Sequence, residues 1–166
     1  MKYLLLLLSL TLGFTSFSQP DSTSGDSVKT KENKDLPLVP TRTVSISTDE
    51  GTWLSLDVSP DGQTIVFDLL GDIYMMPITG GKAERITEGL QFDTHPRYSP
   101  DGKSLVFISD ENGANNVFIM DLETKESRAL TKDKNQQFQS AEWTPDGKYV
   151  VAAKGRRNLK LHMYHK

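Results

Sequence analysis

Ser59-Pro60-Asp61-Gly62 recurs as Ser99-Pro100-Asp101-Gly102 and, with one change, as Thr144-Pro145-Asp146-Gly147. The copies begin 40 and 45 residues apart. A turn repeating at that period marks one supersecondary unit copied along the chain, and a four-stranded propeller blade fits the length. Such units bury their faces against neighbours instead of around one common core. The turn has a mechanism. Proline pre-sets its φ for the second position of a type I turn, aspartate hydrogen-bonds the local backbone, and glycine takes positive φ at no steric cost. A type I turn followed by a left-handed glycine closes a hairpin with a bulge.

The flanks read as strands. Leu54-Ser55-Leu56-Asp57-Val58 and Thr64-Ile65-Val66-Phe67 bracket the first turn. Pro96-Arg97-Tyr98 and Ser104-Leu105-Val106-Phe107-Ile108 bracket the second, Ala141-Glu142-Trp143 and Tyr149-Val150-Val151-Ala152 the third. A β-rich run on each side of a turn signal is a hairpin. A third strand follows each: Gly71-Asp72-Ile73-Tyr74-Met75-Met76, Asn115-Asn116-Val117-Phe118-Ile119-Met120, and Asn158-Leu159-Lys160-Leu161-His162-Met163. Ala83-Glu84-Arg85-Ile86-Thr87 and Ser127-Arg128-Ala129-Leu130-Thr131 supply a fourth strand in the first two units. The unequal periods come from Asp110-Glu111-Asn112-Gly113-Ala114, a longer hairpin loop, and from one extra residue before Thr144.

The expected fold is therefore all-β: an incomplete β-propeller of four-stranded antiparallel blades, about two and a half blades plus one orphan strand. The orphan is Thr43-Val44-Ser45-Ile46-Ser47, which alternates but has no unit of its own. Rings hold four to eight blades, so the expectation is the front part of a longer protein. Lys2 followed by the apolar run Leu4 to Leu12 and Ser16-Phe17-Ser18 reads as a secretory signal peptide over residues 1–18. Residues 19–40, rich in Ser, Thr, Asp, Lys and Pro, read as a disordered linker. Residues 41–166 are the partial propeller. The apolar run is too short to span a bilayer, so an exported, periplasmic or extracellular chain with no membrane span after cleavage is expected. The sequence has no cysteine, which excludes disulfides and thiolate metal sites. A net charge of −3 with no basic stripe gives no sign of nucleic-acid binding.

Chemistry is sparse. His162 and His165 lie three apart on a strand, which puts them on opposite faces. His95, before Pro96, reads as a polar rim residue. Asp68 and Asp72 bracket Leu69-Leu70-Gly71 and read as acceptors for backbone amides. Asp110 to Asn115 lacks the alternating carboxylates and distal Glu of a calcium loop and reads as a turn. Trp53 and Trp143 read as equivalent inter-blade core positions. No nucleophile elbow, phosphate loop or dinucleotide fingerprint occurs. No catalytic, cofactor or metal residue is assigned.

The repeated turn with the Gly-Asp-Ile-Tyr third strand resembles TolB-like propeller repeats. A longer stretch, Asp49-Glu50-Gly51-Thr52-Trp53 through Phe67-Asp68-Leu69-Leu70-Gly71-Asp72-Ile73-Tyr74 to Gly89-Leu90-Gln91-Phe92-Asp93, is similar to the N-terminal propeller of exported amidohydrolase-family proteins. That resemblance implies a non-catalytic scaffold or substrate-access module, partnered by a C-terminal amidohydrolase domain. The divalent metal would sit in that barrel, whose His-x-His motif is absent from this sequence. Two alternatives stand beside it: a TolB-like periplasmic module binding a protein or peptide, and the propeller of a prolyl-oligopeptidase or tricorn-type serine peptidase.

Overall fold

A computed structural model describes Arg42 and residues 44–166. The signal-peptide and linker segments, 1–18 and 19–40, lie outside the described residues. Blade 1 comprises β1 (Leu56–Val58), β2 (Thr64–Leu69), β3 (Asp72–Pro77) and β4 (Glu84–Arg85). Blade 2 comprises β5 (Asp93–Tyr98), β6 (Ser104–Ser109), β7 (Asn116–Asp121) and β8 (Ser127–Ala129). Blade 3 has three strands: β9 (Phe138–Trp143), β10 (Tyr149–Lys154) and β11 (Lys160–His165). All pairings are antiparallel meanders, and the described residues contain no helix. The all-β, incomplete propeller expected from the repeat is what forms.

The three corners are built alike. Ser59 Oγ donates to Asp61 Oδ1 (2.5 Å), which also accepts Gln63 N (3.0 Å), while Ser59 Oγ accepts Thr64 N (2.9 Å). The second corner repeats these bonds through Ser99, Asp101, Lys103 and Ser104, the third through Thr144, Asp146, Lys148 and Tyr149. Gly62, Gly102 and Gly147 sit at φ 72°, 69° and 66°, the left-handed region the turn requires. In each corner the hydroxyl of Ser59, Ser99 or Thr144, then a backbone amide, holds the Asp carboxyl below its ordinary range. These carboxylates are consumed by the turns.

Period two sorts the side chains of the blades onto two faces. In blade 2, Leu105, Phe107, Phe118 and Met120 pack on Val66 and Ile73 of blade 1. The alternate residues Val106, Ile108, Val117 and Ile119 pack on Phe138, Ala141, Val150 and Ala152 of blade 3. Every residue of β6 is buried. The two outer faces are different. On blade 1, Leu56 and Val58 are 55% and 41% exposed, and Phe67 stacks on Tyr74 with no blade beyond them among the described residues. On blade 3, Leu161 and Met163 are 76% and 63% exposed.

Two expectations are corrected. Val44–Ser47 forms no strand among the described residues, and Val44 and Ile46 are largely exposed. Alternation yields a strand only where a sheet edge hydrogen-bonds it, and no edge among the described residues reaches this segment. Trp53 is not inter-blade core: it is fully exposed, in a loop, at φ 63°. Trp143 does pack on the blade 2–blade 3 core, but its counterparts, counted from the turns, are Tyr98 and Val58.

Phe107→Ala is expected to cost about 3–5 kcal/mol, the range for emptying a packed aromatic site. Phe67→Ala, on an unmatched face, is expected to cost well under half as much. Denaturant melts of the two variants check this ordering.

Candidate functional site

The first strands β1, β5 and β9 neighbour one another, forming the narrow side of the fan. Along them runs a polar seam. Asp57, Arg97 and Glu142 occupy the same position in successive blades, each two residues before its turn. Asp57 Oδ2 accepts Tyr98 N across the first joint (2.8 Å). Arg97 reaches both neighbours: Nε to Glu142 Oε1 (2.7 Å), Nη1 to Ser55 Oγ (3.0 Å) and to Leu56 O (3.2 Å). Trp143 Nε1 donates to Arg97 O (3.3 Å), and Tyr98 Oη bonds Thr64 Oγ1 (3.0 Å). One guanidinium therefore ties three blades together.

At the end of the fan remote from the corners, β5 carries an irregularity between Thr94 and Arg97, with His95 at φ 56°. Left-handed backbone before a proline is strained for a non-glycine residue. Buried Asp68 holds it there. Its Oδ2 accepts His95 N (2.8 Å) and Thr94 Oγ1 (2.5 Å), and its Oδ1 accepts Ser55 N (2.9 Å). Thr94 Oγ1 has one proton and gives it to Asp68. It therefore accepts Nδ1–H from His95, 3.1 Å away, so that in the neutral ring Nε2 is the acceptor. The imidazole is half-buried and lies two residues before Arg97 on β5. Bulges of this kind re-aim side chains beside functional surfaces.

The expectation for Asp68 as an amide acceptor matches this geometry. Asp72 instead forms an ion pair with Arg85 (3.2 Å). Asp110, in the loop read as a turn, accepts Phe92 N (2.7 Å) across to the chain leaving blade 1. His162 and His165 do fall on opposite faces of β11, and among the described residues no group of three His, Asp or Glu is placed to hold a metal. The Asp68–Thr94–His95 arrangement and the reach of Arg97 were not read from the sequence. The adjacent Thr94-His95-Pro96 at a strand entry was the available signal.

A second feature is a cleft of about 560 Å³ between blades 1 and 2, lined by Arg85, Glu88, Gln91, Asp93 and Lys125 among others. Asp93 is buried, and its Oδ1 has no hydrogen-bond partner of good geometry. Burial pushes its carboxyl up, opposed in part by the hydroxyls of Ser109 and Thr87 and the amide of Gln91.

With this geometry established, the comparisons place the chain. Residues 54–165 match the family of the tricorn protease N-terminal β-propeller domain, and the chain belongs to that family. Among curated relatives, dipeptidyl-peptidase 5 of Porphyromonas gingivalis is 28% identical over 152 residues, 80% of this chain and 21% of that protein. Tricorn protease homolog 1 of Streptomyces coelicolor is 29% identical over 102 residues, 61% of this chain and 10% of that protein. The chain thus spans about a fifth or less of the length of these relatives. A solved structure of a putative TolB from Agrobacterium tumefaciens superposes with TM-score 0.58 at 24% identity, over 65% of this chain and 43% of that one, a likeness of fold. The TolB-like propeller expected from the repeats is supported. Its expected amidohydrolase link is not: the two relatives named above are a dipeptidyl-peptidase and a tricorn protease homolog.

Asp68→Ala removes three bonds to a buried carboxylate and frees the strained bulge. It is expected to cost about 3 kcal/mol or more and to shift the His95 ring resonances, whereas Asp72→Ala leaves those resonances in place. Thermal melts and histidine NMR spectra check both.

Asp133, in the loop after β8, bonds Lys154 of β10 (2.5 Å). That bond first, then the amides of Gln136 and Asn135, lowers its carboxyl from 3.8 to about 2. A lowered folded-state pKa stabilises above the unfolded value and is lost as pH falls through the folded one. The difference in melting temperature between the parent chain and Asp133→Asn is therefore expected to shrink between pH 3.8 and about 2.

Proposed function

We propose that this chain is the non-catalytic propeller part of an exported peptidase-type hydrolase. Family membership over residues 54–165 is the observation that carries the reading. The geometry supports it: the described residues offer a hydrogen-bonded polar seam with the His95 imidazole at one end. Serine-nucleophile chemistry would belong to a separate catalytic domain. The seam of Asp57, Arg97 and Glu142, with His95 at its end, is the surface a peptide would pass or lie against on its way to that domain. Arg97 commits Nε and Nη1 to the blades themselves, so the seam holds shape, and His95 Nε2 is the acceptor offered to a peptide N–H. Export rests on Lys2 and the Leu4 to Leu12 run.

The test uses the protein that contains this propeller together with its hydrolase domain. His95→Ala is expected to lower kcat/KM for peptides of eight or more residues several-fold and to leave dipeptide cleavage unchanged. Equal effects on long and short substrates would remove the access role. A hydrolase domain with a His-x-His metal barrel in place of a catalytic serine would replace the peptidase reading with the amidohydrolase one.

A further inference from the structure

The cleft between blades 1 and 2 holds a carboxylate that neither the corners nor the polar seam uses. Asp93 opens β5 and is 2% exposed. Among the described residues, its Oδ1 is the only buried side-chain oxygen or nitrogen without a hydrogen-bond partner. A buried carboxylate left partly unbonded costs stability, so such groups are few in native chains. The other oxygen is weakly held. Asp93 Oδ2 accepts Gln91 Nε2 at 3.4 Å, while the same nitrogen gives a shorter bond to Glu88 O (2.8 Å). The hydroxyls of Thr87 and Ser109 lie close enough to favour the charge, yet neither bonds Oδ1.

Strand register orders the lining. Asp93 pairs with Ser109, and Ser109 with Asn116, at one end of blade 2. Met120 pairs with Ser127 near the other end. The two levels are four residues apart on β7, about 13 Å. Asp93, Glu88 and Glu111 make the first end acidic, and Lys125 lies at the second. Arg85, the other cation of the lining, is engaged by Asp72 (3.2 Å) and Glu88 (3.5 Å). Phe107 and Met120 give the cleft an apolar wall. Both flanking blades have all four strands, so the walls are complete.

These features select the occupant. A vacant acceptor with two further carboxylates at its end calls for a cation that donates hydrogen bonds, and the apolar wall calls for a stem. A guanidinium fork uses both oxygens of a carboxylate, but Oδ2 already accepts Gln91. An ammonium needs one oxygen, and Thr87 Oγ1, which accepts Ile73 N (2.8 Å), keeps a lone pair for a second proton. A divalent ion is poorly matched, since no three His, Asp or Glu converge among the described residues. The turn Gly89-Leu90-Gln91 brings the amide back to Asp93: Gly89 has φ 136°, and a Cβ there would collide with Gln91 Oε1.

We propose that this cleft binds a primary ammonium carried on an apolar stem, which displaces the Gln91 amide and hydrogen-bonds Asp93 Oδ1. A lysine side chain and the amino terminus of a peptide both offer that chemistry. The inference stands on the joint between blades 1 and 2 and does not depend on the peptidase reading.

Calorimetric titration of the whole protein that carries this propeller, with hexylammonium chloride as the probe, tests the proposal. Asp93→Asn keeps the shape and removes the charge. It is expected to weaken binding about tenfold or more and, because an unpaired buried charge is gone, to raise the denaturant midpoint. Gln91→Ala clears the approach to the carboxylate and is expected to tighten binding several-fold. Hexanol, the same stem without the charge, is expected to bind about tenfold more weakly than hexylammonium. Nα-acetyl-lysine amide offers only a side-chain amine and phenylalanine amide only an α-amine, so the tighter of the two identifies the source. Unchanged hexylammonium binding by Asp93→Asn, hexanol binding as tightly as the amine, or displacement of the amine by equimolar sodium or calcium chloride would each overturn the proposal. So would a lowered midpoint in Asp93→Asn, because the carboxylate would then be a satisfied structural group.

Discussion

Everything in this molecule depends on the stacking of one blade on the next through faces that alternate residue by residue. Blade 2 shows the constraint in full. Its β6 reads Leu105-Val106-Phe107-Ile108, and the odd and even positions serve two different cores. A blade cannot bury itself, so its stability is lent by neighbours. Fully burying side chains of this size is worth about 1.5–3 kcal/mol each, and blade 2 collects that on both faces. Blades 1 and 3 collect it on one.

The polar features serve the same joint. The corner aspartates close hairpins and so fix which residues of β2, β6 and β10 point forward or back. The first strands are then drawn together by Asp57, Arg97, Glu142 and Trp143, each bonding across a joint. Lys154 and Asp133 do likewise between blades 2 and 3, with the Lys154 ammonium 5.4 Å from the Phe138 ring centre. A strained histidine can be held at β5 only because such a frame surrounds it. Asp68, the residue that pins it, sits on β2 of the preceding blade. The candidate site is thus a product of the joint.

Much of this was legible in the sequence because turn chemistry is local and strand periodicity is strict. Ser-Pro-Asp-Gly located the corners, and counting outward from them gave the strands. What failed was whatever depended on a partner. Val44–Ser47 has strand alternation but no edge among the described residues to complete it. Trp53 resembled Trp143 by residue type, yet it lies six residues before its turn and Trp143 only one, so the two never shared a role. Arg97 and His95 were opaque for another reason. Their partners Glu142, Ser55 and Asp68 lie 27 to 45 residues away, and a bulge sets the direction of His95.

Native-state hydrogen exchange, read strand by strand, tests the central claim most directly. If stability is lent across joints, the amides of β6 and β7 exchange slowest, at the rate of global unfolding. Those of β2 and β3, and of β10 and β11, then exchange faster through opening of the terminal blades. Equal protection of all three blades would contradict the account, because it would mean that each blade holds its own fold.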